Sequence, residues 1–153
     1  MLMFQDGRSF AQGACNYLYR PVSAGEATPR IIIEVQIEGV QAQAIVDTGG
    51  AYLVCDPQIA DLLNLDPADA LGTDRLNIRG VSVPGFIRRV FLTLLAREGQ
   101  SIVVEVTAFV PHPEPYLKWD LPSFMGLTGC LERLRFAVDP VTDSFYFGTL
   151  ADV

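Results

Sequence analysis

Ala44-Ile45-Val46-Asp47-Thr48-Gly49-Gly50-Ala51 is the stretch on which the reading of this chain turns. Its first half closes an alternating run: Val40, Ala42, Ala44 and Val46 share one face of an extended segment that passes directly into Asp47-Thr48-Gly49-Gly50. Upstream, Ile31, Ile33, Val35 and Ile37 alternate with Ile32, Glu34, Gln36 and Glu38, the period of a strand with one buried face. Glu38-Gly39 between the two runs predicts a hairpin turn. Downstream, residues 51–55 form another apolar strand. A carboxylate is therefore predicted to leave the sheet edge on a tight loop, where glycine lets other backbone approach closely. Thr48 adds a hydroxyl that can anchor the loop.

Farther out, Asp56 reads as an N-cap and Pro57 as the first residue of a short helix over 57–65. Residues 75–78 and 86–94 are predicted strands on either side of Gly80-Val81-Ser82-Val83-Pro84-Gly85. Glu98-Gly99-Gln100 turns the chain into a strand over 101–110, and Pro111-His112-Pro113-Glu114-Pro115 must be an extended loop, since proline excludes helix and central strand. Phe124-Met125-Gly126 precedes a short helical stretch near 130–134, and strands at 135–138 and 144–148 finish the pattern. Residues 1–30 are the least patterned, with Tyr17-Leu18-Tyr19 as a candidate short strand. Strands dominate and no internal repeat is visible. The expectation is one all-β domain over 31–153 behind an N-terminal extension of residues 1–30.

Composition narrows the chemistry. At 153 residues, half of them hydrophobic and 19% charged, one folded core is expected and disorder is not. Eleven Lys+Arg against 18 Asp+Glu leave a net charge of −7, which offers no general attraction to nucleic acid or to an anionic membrane surface. No run is long and apolar enough for a spanning helix, and the first residues do not read as a signal peptide. The three cysteines, Cys15, Cys55 and Cys130, are odd in number and far apart, as expected of reduced, cytoplasmic thiols. The one histidine, His112, would have to serve any Ser-His-Asp or Cys-His site, and a His-rich zinc site cannot be built within one chain. Carboxylates remain as the candidate agents.

With these residues in view, the sequence resembles the retropepsin-like aspartic proteases, single-domain relatives of retroviral proteases and pepsin. The resemblance runs from Ile31 to Gly148 in element order and rests on the stretch 44–51, on Phe124-Met125-Gly126 followed by a short helix, and on the glycine-bracketed hairpin from Gly80 to Gly85. It implies a closed, barrel-like domain with one or two short helices and a flap hairpin. It implies Asp47 as catalytic acid and base, Thr48 bonding to the opposing loop, Gly49 keeping the centre open, and Gly50 completing the loop. Gly80, Val81, Ser82 and Val83 would be the flap over an extended peptide, and Gly126 would pack beneath the active-site loop. Such enzymes use two aspartates that share one proton, because two adjacent carboxylates cannot both ionise comfortably. The sequence holds one such motif, so the resemblance implies a homodimer acting on peptide or protein substrates, with no metal or cofactor. Residues 1–30 would then be a propeptide or a dimer-interface strand.

Departures keep other readings open. Gly50 stands where the family usually has Ala or Ser, and Ala51 where retroviral enzymes have an aspartate that grips substrate backbone. A catalytically inactive dimer that binds peptides, and an assembly domain that uses its edge strands, are the alternatives. Cys55 and Cys130 read as small buried hydrophobes, His112 as solvent-exposed, Trp119 and Tyr116 as packing, subsite or interface residues, and Arg88-Arg89 as a solvated edge. The acidic pairs Asp61/Asp66 and Asp139/Asp143 read as caps and turns.

Overall fold

A computed structural model describes residues 1–112 and 118–151. Tyr116 and the prolines at 113 and 115 lie outside the described residues. Among the described residues, twelve strands, one α-helix and two 3₁₀ turns follow one another. In chain order the strands are β1 Gly13–Asn16, β2 Leu18–Arg20, β3 Arg30–Ile37, β4 Val40–Ala51, β5 Leu53–Val54 and β6 Gly72–Ile78. They continue with β7 Val81–Leu94, β8 Glu98–Gly99, β9 Ile102–Pro111, β10 Ser123–Thr128, β11 Leu134–Asp139 and β12 Ser144–Thr149. The helix α1 spans Pro57–Leu63. The fold is all-β, as the alternation predicts.

The strands form two sheets, one ordered β2-β3-β4-β10-β5-β9-β7-β6 and a smaller one ordered β11-β12-β1-β8. β3 also pairs with β7, through Val35 with Leu94 and Ile37 with Leu92, so the larger sheet curls until its second strand meets its seventh. The curled sheet encloses a core that includes Ile33, Val35, Ile37, Leu53, Leu92, Leu94 and Met125, all at most 1% exposed. Burying side chains of this size stabilises by roughly 1.5–3 kcal/mol each.

The β3–β4 hairpin closes at Glu38-Gly39 with both residues at positive φ (48° and 83°), the two-residue turn whose twist suits antiparallel strands. Ile32 departs from the simple one-face reading: it is 3% exposed, because β2 pairs beside it through Leu18. β9 alternates only in its first half; Val106 to Pro111 are buried on both faces, since β9 runs between β5 and β7. Asp56 caps α1 as predicted, its carboxylate accepting from the Gln58 amide at 2.8 Å, and the helix ends at Asn64 in the left-handed conformation. Asp66 and Asp139 likewise accept from Ala68 and Val141 amides, so these members of the acidic pairs serve a cap and a turn.

Among the described residues Arg88-Arg89 pairs only with β9, through Ala108 and Thr107; β6 ends opposite Ile87 and β3 joins β7 at Leu92, so the other side is an open edge, and the two guanidiniums reach Asp69 and Glu105 at 4.0 and 3.9 Å. Two expectations change. The predicted strand over 51–55 contracts to Leu53–Val54, because Tyr52 takes a left-handed turn (φ 64°). The hairpin expected between Gly80 and Gly85 is present but turns earlier, at Arg79-Gly80 (φ 52° and 79°), and β7 begins at Val81. Glycine suits the second of those positions, where other side chains are disfavoured. Proline at 84 lies where β9 runs out, so its missing N–H costs no ladder bond with β9, and its carbonyl still accepts from the His112 amide at 2.8 Å.

Candidate active site

The motif strand ends in a crossed arrangement. β4 and β5 are neighbours in sequence, yet β10 lies between them, parallel to β4 and antiparallel to β5. Met125 pairs with Val46 and Gly126 with Asp47; the register then slips so that Thr128 meets Ala51. The chain reverses at Tyr52, whose amide donates to the Thr128 carbonyl (2.7 Å) and whose carbonyl accepts from the Gly126 amide (2.8 Å). The two glycines of the motif thus do not make the reversal. They run as part of extended β4, and the bulkier tyrosine takes the left-handed conformation instead.

Gly126 is required by close approach. A Cβ on it would lie 2.7 Å from the carbonyl carbons of Gly50 and Ala51 and from the Tyr52 oxygen, all backbone atoms that no rotamer change can move away. Backbone of the motif and of β10 are therefore stacked directly, which fixes where Asp47 stands. The Asp47 side chain is half-buried and folds back on its own loop, Oδ1 accepting from the Gly49 amide at 3.1 Å. This is the local turn that aspartate favours. A Cβ on Gly50 would come within 3.0 Å of Asp47 Oδ2, so this glycine leaves the second carboxylate oxygen uncrowded.

Asp47 opens into a cleft of about 330 Å³. One side of it is Gly49, Gly50 and Ala51 of the motif with Val54, Phe124 and Gly126; the other is Leu76, Asn77, Ile78 and Arg79 of the β6–β7 hairpin, with Arg30 at the start of β3. Of the residues singled out in the sequence, the cleft gathers Asp47, Gly49, Gly50 and Gly126. Thr48 is exposed and does not line it, and among the described residues its hydroxyl has no hydrogen-bond partner. Gly80, Val81, Ser82 and Val83 lie past the hairpin turn and do not line it either. Val83 is 1% exposed and paired with Leu76; Ser82 accepts from Arg75 Nε at 3.1 Å. The arm that meets Asp47 is β6. Its two cations, Arg79 and the facing Arg30, are site features that the sequence reading missed. Their signal was weak, since neither belongs to a motif.

The remaining candidates stand apart. His112 is exposed and its ring lies 5.2 Å from that of Phe86. Trp119 donates to the Leu121 carbonyl at 2.9 Å, bordering a separate hollow beside Asp56. Cys55 and Cys130 are fully buried, and burial pushes both thiols up to about 12; Cys15, partly buried, rises to about 11. None suits a nucleophile, which must be a thiolate. Among the described residues no group of three or more His, Cys, Asp or Glu converges as metal ligands, and no helix is long and apolar enough to cross a membrane.

The fold is found in known proteins. A solved structure, a retropepsin-like aspartic protease from Rickettsia conorii, is similar with a TM-score of 0.57 over 90% of this chain and 94% of that one, at 19% identity. No protein-family profile and no curated protein sequence matches. At this identity the likeness is one of architecture: the chain has a retropepsin-like fold.

Proposed function

We propose that the chain is half of an aspartic endopeptidase, completed by a second copy of itself. The observation that carries this reading is the Asp47 carboxylate, fixed by stacked backbone at the floor of a cleft whose opposite wall is a long β-hairpin. An extended peptide laid in that cleft would present a carbonyl to a water held between two Asp47 side chains. Two carboxylates in hydrogen-bonding contact hold one proton between them, so one acts as acid while the other draws a proton from the water. The chemistry calls for no metal or cofactor. The hairpin, Gly80 to Val83 included, would move as a flap and shed water from the site.

Two features support a two-fold partner at this face. Thr48 is exposed, so an opposing loop can reach it. Leu127, next to Gly126, is 41% exposed and gives apolar surface beside the motif. Free cysteines suit a reducing compartment, so we place the protein in the cytoplasm. The second reading is a dimer that binds peptides without cutting them. Gly50 favours it, since no side chain at that position supports the outer oxygen of Asp47.

Cleavage of a mixed-peptide pool by the parent and by Asp47→Asn, beside equilibrium sedimentation, tests both. Loss of cleavage in a folded, dimeric Asp47→Asn variant is the expected result. A variant that cuts as well as the parent, or a cutting protein that is strictly monomeric, refutes the shared dyad. A dimer whose parent cuts nothing between about pH 4 and 7 leaves the binding reading.

A further inference from the structure

Both cations of the cleft are held by one carboxylate. Residues 21–29 connect β2 to β3, and Glu26 in this connection accepts from Arg30 Nε through Oε1 at 2.9 Å and pairs with Arg79 Nη2 through Oε2. Ser23 Oγ accepts from the other terminal nitrogen of Arg79 at 3.1 Å. The Glu26 side chain is only 15% exposed, against 36% for each arginine. Arg79 is the turn residue of the β6–β7 hairpin, so the tip of the hairpin is tied to the β2–β3 connection through two arginines that both line the Asp47 cleft. Among the described residues Arg30 engages only its Nε, leaving the terminal nitrogens of its guanidinium fork able to take a further carboxylate.

From this arrangement we infer that Arg30 and Arg79 form an acid-selective subsite of the cleft, which Glu26 fills until a peptide carrying a glutamate or aspartate side chain takes its place. The inference rests on the reading of the cleft as a peptide site. An acidic peptide exchanges one carboxylate for another, so the hairpin is released without leaving either guanidinium unpaired. A neutral peptide must break both ion pairs and replace neither. Discrimination thus arises from what the wrong ligand leaves unsatisfied. The same two arginines would serve as latch while Glu26 holds them and as recognition element once it is displaced.

The test separates binding from hydrolysis. Two pools of blocked, random octapeptides, identical except that glutamate in one is glutamine in the other, are titrated against full-length Asp47→Asn. Amide hydrogen exchange over residues 76–83 is followed in parallel. We expect the glutamate pool to bind roughly three- to tenfold more tightly, as for exchange of a charge-assisted pair. Adding Glu26→Gln should speed exchange at the hairpin and widen the preference; adding Arg79→Gln should erase it, with circular dichroism confirming the fold in each case. Equal binding of the two pools, or hairpin exchange unmoved by Glu26→Gln, overturns the subsite. If the preference appears while the parent cuts no peptide, the hydrolytic reading fails and the subsite stands. Cutting without preference sinks the subsite alone.

Discussion

Gly126→Ala tests the idea that backbone stacking, rather than a side chain, sets the position of Asp47. The added methyl would sit 2.7 Å from three backbone atoms of residues 50–52. Overpacking costs about 1–3 kcal/mol in general, and contacts that no rotamer can relieve belong at the upper end. Distorting the Gly126 amide bond to Tyr52 adds about 1 kcal/mol, while alanine stiffens the unfolded chain and returns about 0.4–1 kcal/mol. The net is about 3 kcal/mol, or a melting temperature lower by roughly 6–12 °C for a domain of this size. Gly72→Ala is the internal control: no heavy atom lies within 4 Å of its Cβ position and its φ is not left-handed, so it should be neutral or stabilising by up to about 1 kcal/mol. Urea titration of both variants reads the difference directly. If Gly126→Ala falls within about 0.5 kcal/mol of the parent, the stacking argument is refuted.

Four further outcomes follow from the geometry. Val83→Ala should cost about 2 kcal/mol and Val81→Ala less than about 0.5, since one is 1% and the other 42% exposed; equal costs by thermal melting would mean that β7 does not bury its start. Ser123→Ala strips the Asp56 amide of its acceptor at 3.0 Å, a part-buried bond from a fully buried serine, for a loss of about 1 kcal/mol; no loss in chemical denaturation would mean the amide finds another partner. At pH 8 a disulfide thiol reagent should find neither Cys55 nor Cys130 in the folded chain, the partly buried Cys15 only slowly, and all three in denaturant. The thiols are raised from 9.0 to about 11 and 12, so unfolded cysteines ionise first: stability is intact below pH 9 and falls as pH climbs from 9 towards 12. A stability flat across that window would contradict the burial.

The parts of this fold that can be read from sequence are those where a local rule acts alone. Period-two alternation marked β3 and β4, Glu38-Gly39 marked their turn, and Asp56-Pro57 marked the start of α1, because each depends on neighbours in the chain. The β6–β7 turn was misplaced because Pro84 and Gly85 look like a loop. What makes them strand residues is β6 on one side and the end of β9 on the other, a tertiary fact. Tyr52 shows the same limit: its left-handed φ is imposed by β10 passing between β4 and β5, against a preference that points to the adjacent glycines. In the cleft, the Asp47 motif was legible because its letters are unusual at a strand end. Glu26 and Arg30 lie four residues apart, but Arg79 comes from the distant β6–β7 turn, and only the curl of the sheet brings it to them.

The smaller sheet carries a consequence for how the molecule comes into being. β1 is flanked by β12 and β8, with Gly13 opposite Phe147 and Gly99. Almost all of the intervening chain must therefore exist before β1 has its full ladder, and the Asp47 strand likewise waits for β10 to pair along it. Contacts this distant in sequence make for slow acquisition of structure, in milliseconds to seconds rather than microseconds. During synthesis on the ribosome, β1 would emerge as an unpaired edge, and the nascent chain would hold its aspartate on an unfinished sheet until the final strands arrive.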